Sequence, residues 1–325
     1  MTKPSASPAP WRIIFMGTPD FAVPTLRALI EGPDEVVAVV AQPDRPANRG
    51  RKLRVPPTVQ VARAHGIPTH QPARVRGPRF VETLAQYDPD LIVVVAYGRI
   101  LTERVLACPR HGCVNVHASL LPRYRGASPI QWALLRGETV TGVTTMLMDP
   151  GLDTGDILLQ RTVEIPPGMN AGELHDRLAP VGAELLLETV VGLKRGTITP
   201  KPQDHDQATL APLLKKEDGA IDWTRPAREI DWHVRGMTPW PGAFTFLEGS
   251  RIVVLRGASV PGEVQAPPGT VLGADNNGLS VATGEGCYQI HRLKPENARA
   301  MDVRAYLCGH PVQPGARFSS TRGAE

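Results

Sequence analysis

The sequence predicts an α/β domain built on a parallel sheet, followed by a small β-barrel of the OB type. Three observations carry that reading. Short, wholly apolar runs alternate with helix-period segments through the first half, as in a sheet buried on both faces. After a polar, proline-containing stretch at 192–212 the pattern changes to brief β-like runs set between turn residues. The chain has 325 residues, 42% hydrophobic and 21% charged, enough for about two domains at roughly 150 residues each. Those proportions exclude collagen, coiled coil, long disorder and a disulfide-rich miniprotein.

Each element follows from a local pattern. Residues 12–16 (RIIFM) read as a buried strand stopped at Gly17, and Asp20 is placed to cap a helix carrying Phe21, Leu26, Leu29 and Ile30. Strands follow at 36–41, 91–96, 113–117 and 142–148, with a short segment at 67–69. Helices are expected near 58–65, 79–86, 128–136 and 171–194. Beyond the crossing stretch, which reads as a linker or a lid-like extended crossing, a helix is expected near 226–235. Five short strands follow at 243–247, 251–255, 269–272, 279–282 and 287–293, and a helical piece near 303–307 closes the unit. No internal repeat is found.

Several function classes drop out early. No apolar run approaches the ~18 residues of a membrane span. The first ten residues lack the apolar core of a signal peptide and read as a loose tail, so a soluble cytoplasmic protein is expected. Four cysteines in such a chain make no disulfide framework. Gly17 stands alone where a dinucleotide fingerprint needs three glycines, and neither a P-loop nor G-x-S-x-G occurs. Cys108, His111, Cys113 and His117 have zinc-like letters. If Cys113 and His117 share a strand, however, their Cα atoms lie roughly 13 Å apart, beyond comfortable metal bonding.

The informative stretch is Asn115-Val116-His117. On a strand these two polar residues face the same way, about 6.6 Å apart along the chain, at the carboxyl end where open α/β sheets bind ligands. A donor amide and an imidazole would then flank one small reacting group; a hydrogen-bonded core pair is the plain alternative. Asp153, among glycines in GLDTGD, is either a turn former or the carboxylate that completes an acid/base set. In the second case it is expected to hold the tautomer of His117 and raise its pKa.

FMGTPDFA (15–22), QPDRPANRGRKL (42–53), NVHASLLPRYRGASPIQWA (115–133) and MDPGLDTGDIL (148–158) together resemble the methionyl-tRNA formyltransferase family. IDW (221–223) and MTPWPGA (237–243) extend the likeness, which runs from about residue 12 to about 310, in order and with family-like spacing. It departs at Thr238, where the family often has Asn, and in the extra N-terminal ten residues. The resemblance implies a Rossmann-like formyltransferase domain and an OB-like domain. It also implies 10-formyltetrahydrofolate as formyl donor, initiator methionyl-tRNA as acceptor, no metal, and a monomer. Asn115, His117 and Asp153 would be catalytic, and Ser119, Leu120, Leu121 and Pro122 would match the folate-contacting stretch. Residues 91–96 and the loop after Tyr97 would wall the pterin pocket.

Arg45, Arg49, Arg51, Lys52 and Arg54 crowd ten residues that contain no acid after Asp44, against a net charge of only +4. A solvated surface is one reading; by resemblance the loop enters the tRNA acceptor stem, with Arg49 matching a key contact. Lys194, Arg195, Lys201, Arg292, Lys294 and Arg299 are weaker candidates for a phosphate track. Trp132 is expected in the core, Trp223 and Trp240 as anchors in the core or between domains, and Tyr97 as a packed ring. The expected organisation is a tail at 1–10, a catalytic domain at 11–194, a linker at 195–212, a tRNA-binding domain at 213–318 and a tail at 319–325. The rival activities are folate-dependent formylation of glycinamide ribonucleotide or a sugar-nucleotide amine, and RNA binding without catalysis.

Overall fold

Nearly every expected run becomes an element of the computed structural model, which describes residues 9–47, 52–275 and 278–323. In chain order come β1 (Arg12–Gly17), α1 (Val23–Glu31), β2 (Glu35–Val40), β3 (Arg45–Ala47), β4 (Lys52–Arg54), α2 (Pro57–Ala64) and β5 (Thr69–His70). They are followed by α3 (Pro78–Ala85), β6 (Leu91–Val95), α4 (Glu103–Leu106), β7 (Cys113–His117), α5 (Pro129–Leu135), β8 (Val140–Leu147), β9 (Ile157–Glu164) and α6 (Ala171–Arg195). Contacts divide the chain into two units. The first takes the described residues up to Pro129, Val140–Glu164 and His175–Pro212; the second takes Ile130–Thr139, Ile165–Leu174 and the chain from Leu213.

The first unit is one sheet in the order β5-β2-β1-β6-β7-β8-β9. β1 lies parallel to both β2 and β6, so the chain winds outward on one side of β1 and then returns to the other. That reversal creates a crevice beyond the carboxyl ends of β1 and β6, the Rossmann-like switch point. β7–β8 and β8–β9 are antiparallel, which gives the parallel sheet an antiparallel edge.

Alternation sets the packing. Ile14, Met16, Ala38, Val40, Ile92 and Val94 share a core cluster with Phe80 and Leu84 of α3 and Val105 of α4. Ile13, Phe15, Val39 and Val93, one residue out of phase, are buried as well. Each such side chain contributes about 1.5–3 kcal/mol. α6 approaches β7 and β8 so closely that a Cβ on Gly182 would lie 3.0 Å from Val116 Cγ1. Among the described residues no helix is long and apolar enough to cross a membrane.

Four local expectations change. Asp20 does not cap α1: it opens a single 3₁₀ turn, Asp20–Ala22, and no side chain caps either helix start. Pro24 in the first helical turn supplies the start signal instead. The basic loop is bounded by a two-stranded antiparallel ribbon, with Arg45 paired to Arg54 and Ala47 to Lys52. β9 has no counterpart in the sequence reading, because it is an edge strand on which only Leu158 and Val163 are buried. Lys194 does not join a surface track: it donates to Asp34 with both side chains about 95% buried, 4% and 5% exposed. Asp34 also accepts from Trp11 N–H at 2.7 Å, so the helix end is held by a paired, hydrogen-bonded charge.

The second unit adds α7 (Ala227–Met237), β10 (Ala243–Leu247), β11 (Ser250–Val260), β12 (Val271–Ala274), β13 (Leu279–Ala282), β14 (Cys287–Pro295), β15 (Met301–Asp302), α8 (Val303–Gly309) and β16 (Phe318–Ser319). The main sheet runs β12-β13-β14-β11-β10-β16. Val271 N–H to Ala316 O, Gly315 N–H to Val271 O and Phe318 N–H to Gly269 O, each 2.8 Å, bring its two ends together. The antiparallel sheet therefore curls into the small OB-like barrel expected. Trp223 is buried and donates to Thr245 Oγ1 at 2.9 Å, and Trp132 packs against the same core. Trp240 is no core anchor: it is 49% exposed, carried outward on a turn between Pro239 and Pro241.

Candidate active site

β7 is held between β6, with Val94 beside Asn115, and β8, with Thr144 beside His117. Pairing on both sides fixes the pleat, so Asn115 and His117 project from one face. Both are buried, at 8% and 6% exposure. Asp153 arrives on the loop between β8 and β9 in the left-handed conformation, φ 52°. Three groups converge on its carboxylate. Gly126 N–H donates to Oδ2 at 2.8 Å, Asn115 Nδ2 donates to Oδ1 at 3.4 Å, and His117 Nδ1 lies 3.7 Å from Oδ2. Gly126 has φ 122°, and a Cβ there would stand 2.7 Å from the Ala211 carbonyl oxygen. Glycine is what lets this N–H reach the carboxylate.

One expectation is corrected here. His117 Nε2 lies 2.9 Å from the Tyr124 carbonyl oxygen, which can only accept. The neutral ring therefore carries its proton on Nε2 and turns the basic Nδ1 toward Asp153. Tyr124, not Asp153, fixes the tautomer, and the carboxylate is left facing the nitrogen that can take a proton. Nothing in the letters marks this, because the acceptor is backbone.

Ser119–Pro122 forms the turn leaving β7. Ser119 Oγ donates to Arg123 O at 2.6 Å, while Thr144 Oγ1 donates to Ser119 O at 2.7 Å and accepts from Leu121 N–H at 3.1 Å. Ser119 and Leu121 are buried, so Leu120 and Pro122 supply what surface the turn offers. Of the expected pocket wall, the β6 side chains are all in the core, and exposure begins at Ala96, Gly98 and Ile100. Tyr97 is a packed ring, as expected, with burial pushing its hydroxyl up to about 12.

Gln42, whose side chain the sequence reading gave no role, ties the switch-point loops together. Its Nε2 donates to Tyr97 O at 3.0 Å and Gly98 O at 3.3 Å, and its N–H donates to Thr18 Oγ1 at 3.2 Å. Arg125 and Gln203, also missed, are buried beside the Asp153 loop. Glutamines and arginines are mostly surface residues; the signal was their position within the SLLPRYRGASP and crossing stretches.

Arg54 is largely exposed and lies 3.8 Å from Asp20. Arg49 and Arg51 lie outside the described residues, as do the side chains of Arg45 and Lys52 and the chain before residue 9. Arg195, Lys201, Arg292, Lys294 and Arg299 are exposed. For the zinc-like letters, Cys113 and His117 do share β7, and burial pushes the Cys113 thiol up to about 12. Among the described residues no three His, Cys, Asp or Glu side chains gather to hold a metal ion.

Known proteins add the family. The formyl transferase profile matches residues 11–190, and that of the formyl transferase C-terminal domain matches residues 213–311. A methionyl-tRNA formyltransferase of Desulfotalea psychrophila is 54% identical over 301 residues, covering 93% of each chain. Solved structures share the fold at low identity. HypX from Aquifex aeolicus, in complex with tetrahydrofolic acid, aligns with TM-score 0.61 at 18% identity over 96% of this chain and 51% of its own. An N-formyltransferase from Helicobacter canadensis, in complex with folinic acid and dTDP-3-aminofucose, gives 0.62 at 15% identity over 90% and 100%. With both halves matched in order and half the residues shared along nearly its whole length, the chain belongs to the methionyl-tRNA formyltransferase family.

Proposed function

We propose that the chain transfers the formyl group of 10-formyltetrahydrofolate to the α-amino group of methionine on initiator methionyl-tRNA. The observation that carries the chemistry is the convergence of Asn115, His117 and Asp153 at the carboxyl end of β7. The name borne by the family's relatives supports the acceptor. The donor brings an activated formyl carbon; the crevice edged by Gln42 and by the exposed residues Ala96, Gly98 and Ile100 offers open surface for its flat ring. Leu120 and Pro122 of the Ser119–Pro122 turn would complete the contact.

The neutral amine attacks the formyl carbon, forming the new C–N bond as the carbonyl electrons move to oxygen. Asn115 donates a hydrogen bond to that oxyanion, the kind of fixed donor such a transition state needs. Asp153, directly or through water, accepts the proton the amine must lose. Asp153 passes that proton to Nδ1 of His117, which gives it to the leaving nitrogen as the oxyanion collapses and the old C–N bond breaks. Charge and protons balance: formyl-methionyl-tRNA and tetrahydrofolate leave, and the side chains are restored.

In this reading residues 11–194 hold the chemistry. Residues 213–318 and the basic loop (Arg45, Arg49, Arg51, Lys52, Arg54) serve the tRNA, and the protein works as a cytoplasmic monomer. The test is direct: purified protein given 10-formyltetrahydrofolate and charged initiator tRNA should yield formylmethionine on the tRNA. Absence of product with a folded protein would reject the proposal.

A further inference from the structure

Residues 201–211, expected as a linker, form a strap bonded at both ends within the first unit. Lys201 and Ile157 exchange backbone hydrogen bonds at 2.9 and 2.8 Å. At the other end Arg125 N–H donates to Thr209 O and Ala211 N–H to Arg125 O, both 2.8 Å, and Tyr124 N–H donates to Thr209 Oγ1 at 2.8 Å. Between these anchors Gln203 is 6% exposed. Its Nε2 donates to the carbonyl oxygens of Asp153 at 2.9 Å and Gly155 at 2.7 Å. Its Oε1 accepts from Arg125 Nε at 3.1 Å and Nη2 at 2.7 Å. Both amide hydrogens and both lone pairs are thus used.

We propose that Gln203, oriented by Arg125, is a positioning residue for Asp153. This rests on the reading of Asp153 as a catalytic group. Asp153 holds a left-handed backbone, φ 52°, which is strained for a non-glycine residue, so something must hold the turn there. Gly126 N–H grips the carboxylate from one side; Gln203 grips the backbone of the same turn through two carbonyls. Arg125 decides which way the amide points. A guanidinium has only donors, so the amide oxygen must face it and the NH₂ must face Asp153. Without Gln203 two inward carbonyls lose their partner, and the turn can relax toward the ordinary right-handed region. That would swing the carboxylate away from His117 Nδ1.

The test uses the intact chain and compares wild type with Gln203→Ala, Gln203→Glu and Asp153→Asn. Formyl transfer to charged initiator tRNA gives kcat and KM; binding of a formylfolate analogue and the melting temperature are measured alongside. Gln203→Glu keeps acceptors for Arg125 but removes both donors to the Asp153 turn. Both Gln203 variants should lose about tenfold to a hundredfold in kcat, the scale of a misplaced catalytic group. KM for tRNA and affinity for the folate analogue should stay within about twofold. Full kcat in both Gln203 variants, with Asp153→Asn inactive, would overturn the proposal, as would a loss of kcat that merely tracks lost folate binding and a lowered melting temperature. Full turnover in Asp153→Asn would instead overturn the reading of Asp153 itself.

Discussion

Alanine at position 117 should lower turnover by about 10²-fold or more, the usual scale for a positioned acid/base group, in a protein that still folds. The argument lies in the two ring nitrogens. Nε2 is committed to the Tyr124 carbonyl, so the only nitrogen able to exchange a proton is Nδ1, 3.7 Å from Asp153 Oδ2. Truncation to alanine removes that nitrogen and leaves the Asp153 carboxylate without its imidazole neighbour. Asp153→Asn is the sharper companion, because an amide oxygen can still accept from Gly126 N–H while the charge is gone. A comparable loss is expected. Rates of formyl transfer under saturating donor, with circular dichroism to establish folding, check both variants. Near-wild-type turnover in the two would remove them from the chemistry.

The second large effect concerns the acceptor. Five cations within 45–54 cannot enter an apolar core without partners, and the one whose side chain is described, Arg54, is exposed. Phosphate contacts release counterions, so tRNA affinity should fall steeply as salt rises. Arg49→Ala should raise KM for the tRNA and flatten the slope of log affinity against log salt by roughly one unit. Affinity for a formylfolate analogue should not change, since the loop serves the acceptor. Superimposable salt curves for wild type and Arg49→Ala would reduce the loop to a solvated surface.

The strands were legible wherever burial is two-sided. β1, β6 and β7 are unbroken apolar or Asn-x-His runs, as strands covered on both faces are. β9 was not, because an edge strand carrying Gln160 and Arg161 looks like a loop. The site followed the same rule. Asn115 and His117 declare themselves by spacing on one strand, and Asp153 by its place in a glycine-flanked loop. The Tyr124 carbonyl is invisible, since backbone acceptors have no letter. The Arg125–Gln203 pair joins residues 78 positions apart, through bonds that depend on a strap whose composition reads as linker. Lys194 misled for a related reason: a lysine at a helix end is normally solvated, and only its meeting with Asp34 makes it internal.

The most direct measurement compares kcat/KM for formyl transfer from 10-formyltetrahydrofolate to charged initiator tRNA, charged elongator methionine tRNA, glycinamide ribonucleotide and an amino-sugar nucleotide. Initiator methionyl-tRNA should exceed every alternative by at least about a hundredfold, a ratio within reach of differential transition-state binding. Equal or faster transfer to either small amine would contradict the account, leaving the Asn115–His117–Asp153 chemistry in place but assigning it to a different acceptor.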